Sequence, residues 1–195
     1  MDTIKSHKVV LLGDSTVGKT CLAHRMKHNS FMHCPDSTIG CEFFAHTVES
    51  VEGKVKLLIW DTAGQEVFRS FTPQFLRNAV LVLLVYDTSV PLRLYKIESW
   101  IKMVPEDAII LVVPTKSDLP SAANNSDSFQ DLNSSRPIYF SQPTSAKSGD
   151  NIEALLEKMV EVLRTHFPHA KCKTDAQNVE IVREGKGILD CCLLQ

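Results

Sequence analysis

The chain has 195 residues, which is enough for one domain of ordinary size with a short segment left over. Hydrophobic residues make up 44% and charged residues 23%, proportions that exclude wholesale disorder and a collagen-like or disulfide-dense scaffold. The 21 basic and 23 acidic residues nearly balance, so no general positive field attracts nucleic acid, and we expect no nucleic-acid partner.

Membrane spans and secretion are also disfavoured. The longest apolar run, residues 79–86, is less than half the length that a bilayer-spanning helix needs, and residues 1–6 form no basic-then-apolar leader. The cysteines show no Cys-x-x-Cys pair, and the last two stand near the C-terminal end. We therefore expect a reducing, cytosolic compartment.

The first half of the chain predicts strands and one helix. A buried strand over 8–12 is followed by a glycine-containing loop and a helix over about 19–28. Two β-rich segments, 42–50 and 55–60, flank Glu52-Gly53 and predict an antiparallel hairpin.

In the second half, continuous apolar runs at 80–86 and 109–113 are typical of strands covered on both faces. Helical spacing at 92–103 predicts a helix between them. Residues 120–135 are polar and predict a loop with a weak helical turn, and 137–141 a last short strand.

The clearest helix is predicted over 151–167, with Asp150 as its N-cap, Glu153 completing a capping box and Pro168 ending it. Beyond residue 168 the apolar periodicity fades, so we expect one domain over 1–168 and a flexible tail over 169–195. The alternation of strands and helices predicts a doubly wound α/β fold.

One short motif indicates a chemical function by itself. Gly13 to Thr20 reads GDSTVGKT and matches the phosphate-binding pattern G-x-x-x-x-G-K-[ST]. The glycines let the backbone wrap a phosphate, and the following helix N-terminus supplies positive potential. Lys19 would reach the β- and γ-phosphates and Thr20 would offer a hydroxyl to Mg²⁺; the bland alternative is a glycine turn between strand and helix.

The motif alone does not choose between ATP and GTP. Three further segments do: Asp61 to Glu66 (DTAGQE), Thr115 to Asp118 (TKSD) and Ser145-Ala146-Lys147 (SAK). At these residues the chain resembles the Ras superfamily of small GTPases. Segments such as 39–43 (IGCEF) and 56–66 (KLLIWDTAGQE) resemble the Rab branch, and the resemblance runs from about residue 7 to 167.

The resemblance implies a fold and a set of phosphate and metal contacts. The fold is a P-loop NTPase G domain of α/β class, with a six-stranded, mostly parallel sheet, one antiparallel edge strand and about five helices. The Mg²⁺ ligands are Thr20, Thr38 and, through water, Asp61. Gln65 would be the catalytic residue, orienting the attacking water. The phosphate contacts are Ser15, Thr16, Val17, Gly18, Lys19, Thr20, the Cys21 amide and the Gly64 N–H.

For the base, the resemblance implies that Asp118 accepts from guanine N1–H and the exocyclic amine, which adenine does not offer. The stem of Lys116 would lie along the base and the Ala146 N–H would donate to O6, with Ser145 and Lys147 positioning it. Phe31 would place its ring against the guanine. A turn cap is the alternative role for Asp118.

Two residues depart from the family pattern. Thr115 stands where Asn is usual, and Pro114 where Gly is usual. A hydroxyl cannot replace the paired donor and acceptor of an amide, so one or two hydrogen bonds would be lost, at about 1 to 3 kcal/mol. We therefore expect nucleotide binding to be about ten- to hundredfold weaker than with Asn.

Two further groups of residues point to partners. Phe43, Trp60 and Phe75 occupy the positions of the exposed aromatic triad through which Rab proteins contact effectors, although each alone could be a core residue. The C-terminal Cys191-Cys192 has two lipidation readings: farnesylation of Cys192, or geranylgeranylation of both cysteines. Because one lipid anchors only marginally and the tail carries as many basic as acidic residues, we favour two prenyl groups, with prenyl plus palmitoyl second.

The sequence thus predicts a Rab-like GTP/GDP switch with Mg²⁺ that hydrolyses GTP slowly and regulates vesicular traffic. Expected partners are an exchange factor, a GTPase-activating protein, effectors that read the switches, and the prenylation and membrane-extraction machinery. The expected location is the cytoplasm and the cytosolic face of endomembranes. Two alternatives stay open: a scaffold that binds nucleotide weakly and hardly hydrolyses it, and an ATP-using P-loop enzyme, which Asp118 disfavours.

Overall fold

The computed structural model describes residues 5–33, 38, 41–50, 53–62, 72–122 and 137–167. They form a six-stranded sheet in the order β2-β3-β1-β4-β5-β6, in which β2 and β3 are antiparallel and the other neighbours parallel. The strands are β1 Lys5–Leu12, β2 Cys41–Ser50, β3 Gly53–Thr62, β4 Leu81–Asp87, β5 Ile109–Thr115 and β6 Ile138–Phe140. The predicted sheet, with its antiparallel edge strand, is confirmed.

Four helices lie in the described part of the chain, close to the predicted number. They are α1 Lys19–His28, α2 Thr72–Leu76, α3 Leu94–Ile101 and α4 Ile152–His166. Among the described residues no helix is both long and apolar enough to cross a bilayer. Most of the predicted polar loop over 120–135 lies outside the described residues.

The core forms two layers, one on each face of the sheet. Along β4, Leu81, Leu83 and Val85 pack on the side of α1 and α4, while Val82 and Leu84 pack on the side of α2 and α3. Covering both faces explains why the central strands are continuously apolar. Because β1, β3, β4 and β5 run parallel, their C-terminal ends lie at one edge of the sheet, where ligands of open α/β sheets bind.

The N-terminal end of α4 differs from the prediction. The N-cap is Asn151, in a left-handed conformation with φ of 58°, and no side chain caps the helix. The Asp150 carboxylate instead accepts the Ser148 hydroxyl at 2.6 Å, and the Asp150 carbonyl accepts the Ser145 N–H at 3.1 Å. The predicted capping box of Asp150 with Glu153 is therefore wrong, because Asp150 belongs to the preceding loop.

Candidate nucleotide and metal site

The phosphate-loop motif joins β1 to α1 as predicted. Gly13 has φ of 146°, and a Cβ atom there would lie 2.3 Å from the Val85 carbonyl oxygen, so no larger residue fits. Gly18, with φ of 102°, is the N-cap of α1. The chain thus turns sharply and aims the first turn of the helix, whose N–H groups have no partner within the helix, at the loop.

Lys19 is buried inside this loop. Its ammonium group donates to the Gly13 carbonyl at 2.9 Å and to the Asp14 carbonyl at 2.7 Å. Burial lowers the pKa of Lys19 to about 8, although the charges of Asp61 and Asp14 act in the opposite direction. An anion beside this ammonium would favour its charged form, so the position suits a phosphate.

Three side chains from distant parts of the chain meet next to Lys19. The hydroxyl oxygens of Thr20 and Thr38 are 2.7 Å apart, and the Thr38 hydroxyl donates to Asp61 Oδ2 at 3.5 Å. Within the described residues the second oxygen of Asp61, Oδ1, is buried without a hydrogen-bond partner. The three residues that the sequence predicts as Mg²⁺ ligands thus lie together, and their role as ligands stays a prediction.

The electrostatics of Asp61 test whether a cation fits. Burial raises the pKa of this carboxyl to about 6, even though hydrogen bonds from Thr20 and Thr38 and the charge of Lys19 lower it. A carboxylate taken out of water with one unused oxygen is stabilised by a cation. Two hydroxyls and a carboxylate are oxygen donors of the kind that Mg²⁺ prefers, so the residues present fit this ion.

The loops after β5 and β6 form a second cluster. The Ser145 hydroxyl donates to Asp118 Oδ1 at 2.6 Å, and the Ser145 hydroxyl oxygen itself accepts the N–H groups of Lys147 and Ser148, each at 3.1 Å. Ser145 is fully buried, whereas Asp118 is exposed at the loop surface. The buried serine thus fixes one oxygen of an otherwise accessible carboxylate.

Thr115 and Lys116 connect this cluster to the rest of the site. The Thr115 hydroxyl contacts the carbonyl oxygens of Val17 and Tyr86, and the Lys116 ammonium lies 2.7 Å from Asp87 Oδ2. Lys116 has φ of 61°, a left-handed conformation that is uncommon outside tight turns, so the chain turns sharply directly after β5. Thr115 therefore links β5 to the phosphate loop, and the weaker nucleotide binding expected of Thr in place of Asn stays a prediction.

Phe31 and Cys21 lie near the end and the start of α1 respectively, both half-buried. The Phe31 ring stands edge-on to His33, with centroids 5.1 Å apart, and Cys21 Sγ lies 4.0 Å from the Met32 carbonyl oxygen. Gly64, Gln65, Cys191 and Cys192 lie outside the described residues. The roles expected for all of these residues therefore stay predictions.

The three aromatic residues predicted to contact effectors all lie in the described part of the chain. Phe43 and Trp60 are paired across β2 and β3, with ring centroids 5.3 Å apart, and Phe43 is 53% exposed. Lys8 places its ammonium 4.4 Å from the centre of the Trp60 ring. Phe75 is half-buried on α2. Of this stacked pair, Phe43 is exposed and Trp60 half-buried, so the Phe43 ring offers an apolar surface next to the β2–β3 edge of the sheet.

Sequence reasoning missed two side chains that hold the loops in place. The Asp14 carboxylate accepts the Trp100 indole N–H at 2.9 Å and pairs with Lys96, which ties the phosphate loop to α3. Arg25 donates to three backbone carbonyls, two of them in the loop after β6. Neither contact has a signal in the sequence, because the partners are far apart along the chain.

Comparison with known proteins agrees with this geometry. The family model described as Ras family matches residues 8–165. The chain is 35% identical to Ras-related protein Rab-30 from Homo sapiens over 194 residues, covering 95% of this chain and 94% of that protein. It is 36% identical to Ras-related protein SEC4 from Saccharomyces cerevisiae over 161 residues, covering 80% of this chain and 74% of that protein.

A third relative, Ras-related protein Rab-5B from Plasmodium falciparum, is 37% identical over 165 residues, covering 82% of this chain and 79% of that protein. The family match over residues 8–165 includes the phosphate loop, Thr38, Asp61 and the loops after β5 and β6. The chain therefore belongs to the Ras family of small GTPases, enzymes that hydrolyse GTP, and to its Rab branch.

Proposed function

We propose that the protein is a Mg²⁺-dependent switch that binds GTP and GDP, hydrolyses GTP slowly and regulates vesicular membrane traffic. The observation that carries this proposal is the meeting of Thr20, Thr38 and Asp61 beside the buried Lys19. These residues come from three separate segments, and their packing leaves one buried carboxylate oxygen unsatisfied among the described residues. A bound Mg²⁺ would supply the positive charge that stabilises the Asp61 carboxylate, and a bound phosphate the negative charge that stabilises the Lys19 ammonium.

In this proposal residues 15–20 hold the phosphates, with the Cys21 amide reaching the α-phosphate. Bound Mg²⁺ neutralises charge that develops on the phosphates during hydrolysis. Thr20 and Thr38 offer their hydroxyls to the ion and Asp61 holds it through water. Gln65 orients the attacking water, and the Gly64 N–H contacts the γ-phosphate.

Guanine specificity belongs to the base loops. Asp118 accepts from N1–H and the exocyclic amine, the Lys116 stem covers one face of the base, and the Ala146 N–H donates to O6. The hydrogen bond from Ser145 supports this assignment, since it holds the Asp118 carboxylate in one orientation. Thr115 and Lys147 position the loops, and Phe31 contacts the guanine.

Switching follows from what the γ-phosphate holds. With GTP bound, Thr38 and Gly64 contact the metal ion and the γ-phosphate, and hydrolysis removes both contacts. Effectors distinguish the two states through the surface of Phe43, Trp60 and Phe75. An exchange factor replaces GDP, and a GTPase-activating protein accelerates hydrolysis by stabilising charge in the transition state.

Membrane attachment belongs to residues 169–195. In our proposal this segment is a flexible tail beyond the G domain of residues 1–168, and Cys191 and Cys192 each carry a prenyl group, attached and extracted by dedicated machinery. The protein then acts on the cytosolic face of endomembranes and returns to the cytoplasm. The intact mass of the native protein tests this: two prenyl additions are expected, and an unmodified Cys191 in the membrane fraction rejects the two-lipid assignment.

One experiment tests the switch itself. Labelled GDP, GTP and ATP are titrated into the full chain with Mg²⁺, and phosphate release is followed for the wild type and for Gln65→Leu. We expect both guanine nucleotides to bind far more tightly than ATP, and Gln65→Leu to bind GTP normally while releasing phosphate at least tenfold more slowly. Guanine affinity no better than millimolar favours a scaffold, and preference for ATP favours an ATP-using enzyme.

A further inference from the structure

Arg25, on the last turns of α1, joins three backbone segments through one side chain. Its Nε atom donates to the Ala146 carbonyl at 2.7 Å, Nη2 to the Lys147 carbonyl at 2.8 Å and Nη1 to the Asn29 carbonyl at 2.9 Å. Three different nitrogen atoms are used, and every acceptor is a backbone oxygen. The planar guanidinium holds its donors in a fixed arrangement, so it fixes the positions of these carbonyls relative to one another.

These bonds act on both peptide planes that flank Ala146. The Ala146 carbonyl is held by Arg25, and the N–H in the same plane, that of Lys147, donates to the Ser145 hydroxyl at 3.1 Å. In the preceding plane, the Ser145 carbonyl accepts the Gly149 N–H at 2.9 Å. Because the peptide units are planar, the direction of the Ala146 N–H is determined.

That N–H group is itself available. Among the described residues no acceptor contacts the Ala146 N–H, and Ala146 is half-buried. The neighbouring Asp118 carboxylate is held by Ser145 at 2.6 Å. A donor and an acceptor, each fixed in direction, thus stand side by side, which is the pairing that a guanine edge requires.

The third bond adds the end of α1 to the same assembly. Asn29 is the left-handed C-cap of the helix, with φ of 50°, and its N–H donates to the Arg25 carbonyl at 2.9 Å. Phe31 follows two residues later. Arg25 therefore sets the spacing between the segment that leads to Phe31 and the loop that contains Ala146.

We propose that Arg25 is a specificity-determining positioning residue, which selects guanine by holding the Ala146 N–H towards the 6-oxo group of the base. This inference rests on the proposed function, because it assigns a role within the proposed guanine site. Arg25 itself contacts no part of the nucleotide in this proposal. Its loss is expected to weaken recognition of the 6-position more than it weakens the grip on the phosphates.

The test compares GDP with 6-thio-GDP, in which sulfur, a weak acceptor, replaces the 6-oxygen. Dissociation constants are measured for the full chain with Mg²⁺, for Arg25→Met, for Arg25→Lys, and for Lys27→Met as a control that removes a charge from the same helix. We expect the wild type to prefer GDP about five- to tenfold, as for one hydrogen bond. In Arg25→Met, GDP affinity falls about tenfold, 6-thio-GDP affinity falls much less, and the preference approaches one.

Partial return of the preference in Arg25→Lys, whose ammonium can bond to one carbonyl, and an unchanged preference in Lys27→Met support the inference. If Arg25→Met weakens the binding of both nucleotides equally, the role of Arg25 is merely structural and the inference is overturned. The inference is also overturned if Arg25→Met binds both nucleotides as the wild type does. A wild-type protein that binds ADP as tightly as GDP rejects the proposed function instead. Thermal unfolding of each variant with saturating GDP establishes that it is folded.

Discussion

The Thr115 hydroxyl lies 2.6 Å from the Val17 carbonyl oxygen and 2.8 Å from that of Tyr86. This one group joins the end of β5 both to the phosphate loop and to the neighbouring strand β4. A hydroxyl carries a single proton and therefore donates to only one of the two oxygens at a time. An asparagine amide carries two protons, and its oxygen can accept as well.

Thr115→Asn is therefore expected to slow GDP dissociation about ten- to hundredfold, since one or two added hydrogen bonds correspond to about 1 to 3 kcal/mol. Labelled GDP released into excess unlabelled GDP gives the rate. Thr115→Val, which keeps the shape and removes the hydroxyl, is the matched control and is expected to accelerate release. An off-rate in Thr115→Asn equal to that of the wild type would contradict the prediction.

Thr16 has φ of 64° within the phosphate loop, a left-handed conformation that is unfavourable for a β-branched residue. We expect Thr16→Gly to stabilise the GDP-bound protein by about 0.5 to 1 kcal/mol, because relief of about 1 to 2 kcal/mol of strain exceeds the entropic cost of glycine. The measurement is urea unfolding at saturating GDP. Thr16→Ala retains a Cβ atom and is expected to gain less, so an equal gain in both variants argues against strain.

Trp100 on α3 donates its indole N–H to the Asp14 carboxylate, while the Asp14 carbonyl accepts from Lys19. Replacing the indole by a phenyl ring in Trp100→Phe removes the donor and leaves most of the packing. We expect GDP to dissociate about three- to tenfold faster, as loss of a hydrogen bond to a charged group costs more than an ordinary one. Tyr95→Phe, at an exposed position of the same helix, is the control, and equal off-rates in the two variants would disprove the coupling.

His46 on β2 is half-buried, and burial lowers its pKa below the usual 6.5. The unfolded chain therefore binds more protons at this group than the folded protein does, over the range from the lowered value up to 6.5. The free energy of unfolding contains a contribution that rises with pH in this range and is lost as the solution is acidified through it. Urea midpoints at pH 7.5 and pH 5.5 are expected to differ less in His46→Gln than in the wild type; an identical difference rules out His46 as the source.

Much of the fold could be predicted because its signals are local. The β2–β3 hairpin pairs Ser50 with Gly53, as the glycine-containing turn predicted, and the apolar face of α4 is buried as its spacing required. Helix α2, Thr72–Leu76, was missed, since a helix of five residues is too short to show a period. The predicted N-cap of α4 was wrong because Asp150 lies in the preceding loop, where its carboxylate accepts the Ser148 hydroxyl, and Asn151 is the N-cap.

The site divides along similar lines. Motif residues such as Lys19, Thr20 and Asp61 could be found because each belongs to a short motif with fixed residue types and spacing, and the motifs follow one another in a fixed order. Arg25 could not, since the two of its three acceptors that lie in the loop after β6 are 121 and 122 residues away and are backbone atoms, which any sequence supplies. Thr115 was recognised as a departure, but its contact with Val17 depends on how closely β5 approaches the phosphate loop, which only the folded structure reveals.

Helix α1 begins at Lys19 in the phosphate loop and carries, in its last turns, Arg25, which holds the loop of Ala146 and Lys147, so one helix connects the two parts of the proposed nucleotide site. A displacement of the whole helix would therefore disturb the phosphate contacts and the base loop together. In the proposed switch, an exchange factor that displaces α1 as a whole would weaken the hold on the phosphates and on the base through one helix.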